Sequence, residues 1–153
     1  MKFKKAATYI VILFVLLFAV AHCVEAADFS AGSATDSYTE YDGEAVFYSD
    51  RLALTNWHAG FGWVNEREYD GRFVDQNGMA FIERRVGLSR CELGLGLAYL
   101  HRTDYIQGSN FNYTLSAACR VLGPVWLGAR HFSNAGTADP NRGYDFLLLT
   151  WRF

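Results

Sequence analysis

Beyond residue 27 the sequence shows no helical apolar spacing of useful length; it alternates with a period of two. In CELGLGLAYLHR, Cys91, Leu93, Leu95, Leu97 and Tyr99 are apolar or aromatic, whereas Glu92, Gly94, Gly96 and Ala98 are charged or small. FNYTLSAACRV repeats the pattern, with Phe111, Tyr113, Leu115, Ala117, Cys119 and Val121 alternating with Asn112, Thr114, Ser116, Ala118 and Arg120. On a strand, such alternation sends the two residue kinds to opposite faces. A soluble sandwich turns the apolar face inward, and a membrane barrel turns it out to lipid. Alternation alone does not choose.

Three features favour the barrel. The segments are about ten residues long, enough to cross a bilayer at a tilt. Trp57, Trp63, Tyr99, Phe111, Trp126 and Trp151 stand near segment ends, as an interfacial girdle would. The polar faces carry Gly and Ala, which suit a crowded interior. Strands are expected near 38–49, 52–66, 77–88, 91–103, 111–121, 124–134 and 143–153, and a weakly patterned one at 28–36 makes the count even. The links at Ser49-Asp50-Arg51, near Ser89 and at Leu122-Gly123-Pro124 are short. Those at 67–76, 104–110 and 135–142 are longer and polar, as outer loops are. The expected class is all-β: an eight-stranded antiparallel transmembrane β-barrel over residues 27–153.

What precedes it has the form of a secretory leader. Lys2, Lys4 and Lys5 are followed by an apolar run from Ile10 to Val20 and by Val24-Glu25-Ala26, so cleavage after Ala26 is expected. The alternative is an uncleaved anchor, since the run approaches spanning length. Cys23 follows His22 rather than a small residue, which speaks against a lipoprotein acylation site. The leader would remove three lysines and one glutamate from a chain of net charge −2. The remainder is acidic, and no nucleic acid partner is expected. Aromatics at 16% with only two prolines suit long strands, not a linker. Cys91 and Cys119 could pair in an oxidising compartment, but unpaired, apolar-facing cysteines fit the sequence at least as well.

The polar segment ARHFSNAGTADPNRGYD, residues 129–145, separates the last two expected strands. By parity His131 and Ser133 continue the face of Val125, Leu127 and Ala129, while Asp145 continues that of Leu147, Leu149 and Trp151. All three then share the lipid side, a costly place for a histidine and a carboxylate unless they interact or act. Strand spacing lets His131 reach Ser133 along its own strand and Asp145 across the hairpin. That permits a relay in which Asp145 orients His131, His131 takes a proton and Ser133 attacks. The plainer alternative is loop chemistry, with His131 a polar residue at the membrane rim. His58 and His101 stand alone with no metal-binding spacing, GLGL at 94–97 lacks the helix of a phosphate loop, and Asn112-Tyr113-Thr114 matches a glycosylation pattern that is frequent by chance. No metal or organic cofactor is expected.

HFSNAGTADPNRGYD resembles the active-site segment of the PagL-type lipid A 3-O-deacylases, outer-membrane barrel esterases acting on lipopolysaccharide. The family's His-x-Ser-Asn falls on His131, Ser133 and Asn134, and its loop glycine and asparagine fall on Gly136 and Asn141. Its catalytic acid is a glutamate, where this chain has the shorter Asp145. The closing LLLTWRF resembles the terminal assembly signal of outer-membrane barrels. The resemblance implies a catalytic trio of His131, Ser133 and Asp145. It also implies oxyanion or loop support from Asn134, Gly136 and Asn141, lipid A as substrate and residence in the outer membrane of a Gram-negative type cell. A homodimer stays open. The rival readings are a non-catalytic small barrel and an outer-membrane phospholipase.

Overall fold

Alternation of period two closes on itself in the computed structural model, which describes residues 27–35, 43–52, 55–69 and 71–153. The expected leader with its cleavage point, and positions 38–42 of one expected strand, lie outside the described residues. The strands are β1 (Ala27–Thr35), β2 (Gly43–Arg51), β3 (Trp57–Val64), β4 (Arg67–Tyr69), β5 (Arg72–Val74), β6 (Asn77–Leu88), β7 (Cys91–Leu100), β8 (Phe111–Leu122), β9 (Val125–Ser133) and β10 (Tyr144–Arg152). Eight of them form a closed barrel in the order β1-β10-β9-β8-β7-β6-β3-β2, every pairing antiparallel. β1 pairs with β10 as well as with β2, so the sheet keeps no free edge. The Phe153 N–H, bonded to Ala27 O, fastens the end of that seam.

The outward row of each strand is the apolar one. Leu93, Leu95, Leu97, Leu115, Leu127, Leu147 and Leu149 are all exposed, a surface only lipid tolerates. Trp57, Trp63, Tyr99, Phe111 and Trp151 lie on it as expected. Trp126 does not. It has the inward parity of Gly128 and Arg130, and the Arg152 guanidinium lies 4.1 Å from its ring centroid.

The interior is built in two parts. Towards the termini Arg85 joins Asp28, Glu83, Glu92 and Ser49, and Arg152 joins Asp28 and Glu92. Towards the long loops the interior is apolar, with Phe47, Phe81, Phe132 and Phe146 packed ring against ring. Arg130 joins the two: it grips Glu83 at 2.8 and 3.0 Å and lies 4.0 Å from the Phe81 ring centroid. The GLGL run acquires a physical meaning here. A Cβ on Gly94 would collide with Ser116 Oγ and lie 3.1 Å from the Glu83 carboxylate, and one on Gly96 would lie 2.8 Å from Glu83 Cβ. Gly94 makes room for the buried carboxylate, and Gly96, where a Cβ would collide with Ile82 O, for the β6 backbone that carries it.

Glu83 is fully buried and is the carboxylate that Arg130 pairs with. Removing one partner of such a pair strands the other charge, at about 3–5 kcal/mol. Glu83→Gln is therefore expected to lower the urea unfolding free energy of the detergent-refolded barrel by that amount. A loss below about 1 kcal/mol, the range of exposed pairs, would mean the network is not sealed from water.

Several expectations need correction. Ser49-Asp50-Arg51 is not a turn but the end of β2: Ser49 is polar because it faces inward and bonds Arg85 at 2.8 Å. β3 starts at Trp57 rather than 52, since the apolar Leu52 belongs to the reversal, where its N–H bonds Trp57 O. β7 stops at Leu100, not 103, and the loop expected at 67–76 contains the β4–β5 hairpin. Asn112 is buried and donates to Ser109 O, so its glycosylation match is coincidental. Cys91 and Cys119 stand directly opposite on β7 and β8 and form a disulfide, against the equal weight given to free thiols.

Candidate active site

Two neighbouring strand ends carry the polar trio, at the end of the barrel where the connections are long. Ladder register sets His131 of β9 directly opposite Asp145 of β10, with Leu115 of β8 on its other side. His131 Nδ1 lies 2.8 Å from Asp145 Oδ1, and the two side chains are 41% and 28% exposed. An ionised carboxylate only accepts, so Nδ1 holds the proton and Nε2 is the nitrogen left to accept another. Aspartate, one methylene shorter than glutamate, closes this distance without help.

Ser133 follows two residues along the same face, opposite Tyr113. Its hydroxyl donates to Asn141 Oδ1 at 3.1 Å and accepts the Ala135 N–H at 3.1 Å. Contact with the imidazole requires a turn about the serine χ1, and catalytic hydrogen bonds of unliganded sites are commonly long or misdirected until substrate binds.

The loop between β9 and β10 is organised from within by Asn134, which is 1% exposed. Its Nδ2 donates to Ala138 O and Pro140 O, its Oδ1 accepts the Gly136 N–H at 2.9 Å, and its own N–H bonds Asn141 Oδ1 at 3.0 Å. The chain takes positive φ at Ala135 (53°) and Gly136 (77°), just beyond Ser133. Strain on a non-glycine residue persists only where the surroundings over-determine it, and Asn134 is what does so here.

A second loop buttresses the first. The Arg142 N–H bonds Ile106 O, the Gly108 N–H bonds Pro140 O, and Gln107 forms a β-bridge with Asn141. The Gln107 side chain is fully buried and donates to Phe132 O, the carbonyl between His131 and Ser133. Nothing in DYIQGSN distinguishes this glutamine from an ordinary loop residue, so sequence reasoning missed it. It also missed the direct contact of Asn141 with the serine. His58 points into the barrel and His101 lies just past β7; neither stands on β9 or β10, the strands that carry the trio. Among the described residues no cluster of three or more His, Cys, Asp or Glu side chains could hold a metal.

A family model, the lipid A 3-O-deacylase PagL, matches residues 34–153. The chain belongs to the PagL family. Members of this family are carboxylic ester hydrolases of the outer membrane, and as a PagL-family chain this protein is a lipid A deacylase. The crystal structure of the outer membrane enzyme PagL superposes with a TM-score of 0.50 and 17% identity, over 84% of this chain and 99% of that one. At that identity the likeness carries the barrel fold and not the roles of side chains. No curated protein sequence matches this one.

Proposed function

We propose that this PagL-family barrel is a serine esterase that removes the 3-O-linked acyl chain of lipid A. The observation that carries this reading is the His131–Asp145 hydrogen bond on the lipid-facing side of the barrel, with Ser133 next along the same face. A polar pair facing lipid is costly unless it works, and here it stands at the loop end, where the outer leaflet meets the surface. Leu115 beside His131, and Leu127, Leu147 and Leu149 further along, would keep the acyl chain in the membrane while its ester reaches the serine.

In this reading Ser133 Oγ attacks the ester carbonyl carbon as its proton passes to His131 Nε2. Asp145 holds the ring in the tautomer that allows the transfer and stabilises the imidazolium that results. Collapse breaks the bond to the sugar 3-oxygen, which takes the proton from His131. Water then attacks the acyl-serine, passing a proton to His131; collapse breaks the acyl–Oγ bond, His131 returns the proton to Ser133 Oγ, and the fatty acid leaves. Asn134 and Gly136 bond each other and the loop, so we assign them to holding the loop rather than to the oxyanion. The groups already at Ser133 Oγ are the Ala135 N–H and the Asn141 carboxamide; a half-turn of that amide would present Nδ2 as a donor at the expense of the Asn134 N–H bond to Asn141 Oδ1. Export to the outer membrane would use residues 1–26 as a leader.

Mass spectrometry of lipid A from a Gram-negative host with and without this chain tests the reading. Loss of one 3-O-linked acyl chain is expected. Unchanged lipid A with new lysophospholipid would make it a phospholipase, and no change in either lipid would leave a non-catalytic barrel.

A further inference from the structure

Gly143 stands just before β10, two residues from Asp145, in a buried position with φ +79°. A Cβ built there would lie 2.6 Å from His131 Cε1, 3.4 Å from Nδ1 and 3.5 Å from Nε2. The glycine therefore packs against the N–C–N edge of the imidazole, the edge carrying both working nitrogens. Side chains do not approach a ring carbon to 2.6 Å, so with any other residue either the backbone or the ring must move.

The backbone is the less able to yield. On one side of Gly143 the Arg142 N–H is bonded to Ile106 O, and Asn141 is bridged to Gln107. On the other, the Tyr144 hydroxyl is bonded to Asp104, whose Oδ1 also accepts the Ile106 and Gln107 N–H groups. The Tyr144 ring stacks on Phe146, and Phe132 pairs with Tyr144 across the ladder. The imidazole is held on its exposed side by a single hydrogen bond to Asp145, so it is the part that would be displaced.

We infer that Gly143 is a positioning residue for the proposed catalysis: its missing side chain is the seat that holds the His131 ring with Nδ1 on Asp145 and Nε2 free for Ser133. This rests on the serine-esterase reading above. It accounts for a glycine where the chain could have turned with asparagine, since asparagine tolerates positive φ but still carries a Cβ.

The test compares detergent-refolded variants by initial rates on lipid A, normalised to the folded, heat-modifiable fraction. Misplacing a catalytic group by about 1 Å can cost about 100-fold. Gly143→Ala and Gly143→Asn are each expected to lower kcat by about that factor, with KM changed less than about threefold. Gly123→Ala is the matched control, because Gly123 also has positive φ (53°) and has nothing within 4 Å of an added Cβ. It sits in the β8–β9 turn at the other end of the barrel and is expected to keep wild-type kcat. In a His131→Ala background, Gly143→Ala should cost nothing more, because its effect passes through that ring. Wild-type kcat per folded barrel in Gly143→Asn, or an equal loss with and without His131, would overturn the inference. If Ser133→Ala retained full activity, the failure would lie in the serine-esterase reading itself.

Discussion

Ser133→Ala and His131→Ala are each expected to lower kcat on lipid A by about 10⁴-fold or more, about 5.5 kcal/mol of barrier. The double variant should be no slower than the slower single, because nucleophile and base act as one unit and losing either removes the same step. Folding should survive both changes. The two side chains face away from the barrel interior, and neither belongs to the aromatic plug or the buried ion network. The measurement is initial rates for the three variants, with heat-modifiability on gels as the check on folding. A double variant far slower than either single would show two independent contributions and overturn the shared mechanism.

Asp145→Asn should produce the next largest loss. The amide keeps size and reach but carries no charge to stabilise an imidazolium, and its NH₂ can present itself to Nδ1 and favour the wrong ring tautomer. In a dedicated triad the same change costs about 10⁴-fold. Asp145 is 28% exposed, so a loss of between about 10² and 10⁴ is expected here, with KM nearly unchanged. Asp145→Glu restores the acid that the family resemblance places at this position. The added methylene must fold back, because the aspartate already reaches Nδ1 at 2.8 Å, and the position is on the lipid-facing side of β10, outside the packed interior. Activity within about tenfold of wild type, or about 1.4 kcal/mol, is expected. If the Asn variant kept the wild-type rate, Asp145 would drop out of the mechanism and leave a Ser133–His131 pair.

Which residues of a strand share a face rests on parity alone. β6 runs from Asn77 to Leu88, as its alternation indicates, and the outward rows of β7 and β8 are the apolar ones. The same parity, carried to the ends of β9 and β10, puts His131, Ser133 and Asp145 on one face, and the β9–β10 register pairs the first with the last. Where inference from composition replaced parity, it misled. The short link expected at Ser49-Asp50-Arg51 is strand, and Ser49 is polar because the interior opposite it holds Arg85. The strand expected from residue 52 begins only at Trp57, and the apolar Leu52 lies in the reversal.

Alternation is a property of one strand and its two faces. Together with segment length, the aromatic girdle and the small residues of the other face, it let the sequence by itself determine the fold class, the outward apolar surface and the side on which the proposed catalytic residues stand. Which atoms meet there is a property of segments distant in the chain, and only the closed barrel decided it. The register that joins Cys91 to Cys119 is one example. Gln107 donating to Phe132 O, Asn141 accepting from Ser133, and Gly143 fitting against the imidazole are others. Each depends on where a loop crosses a strand end. A period of two fixes the direction of a side chain; the partner waiting in that direction is set by closure, register and loop path together.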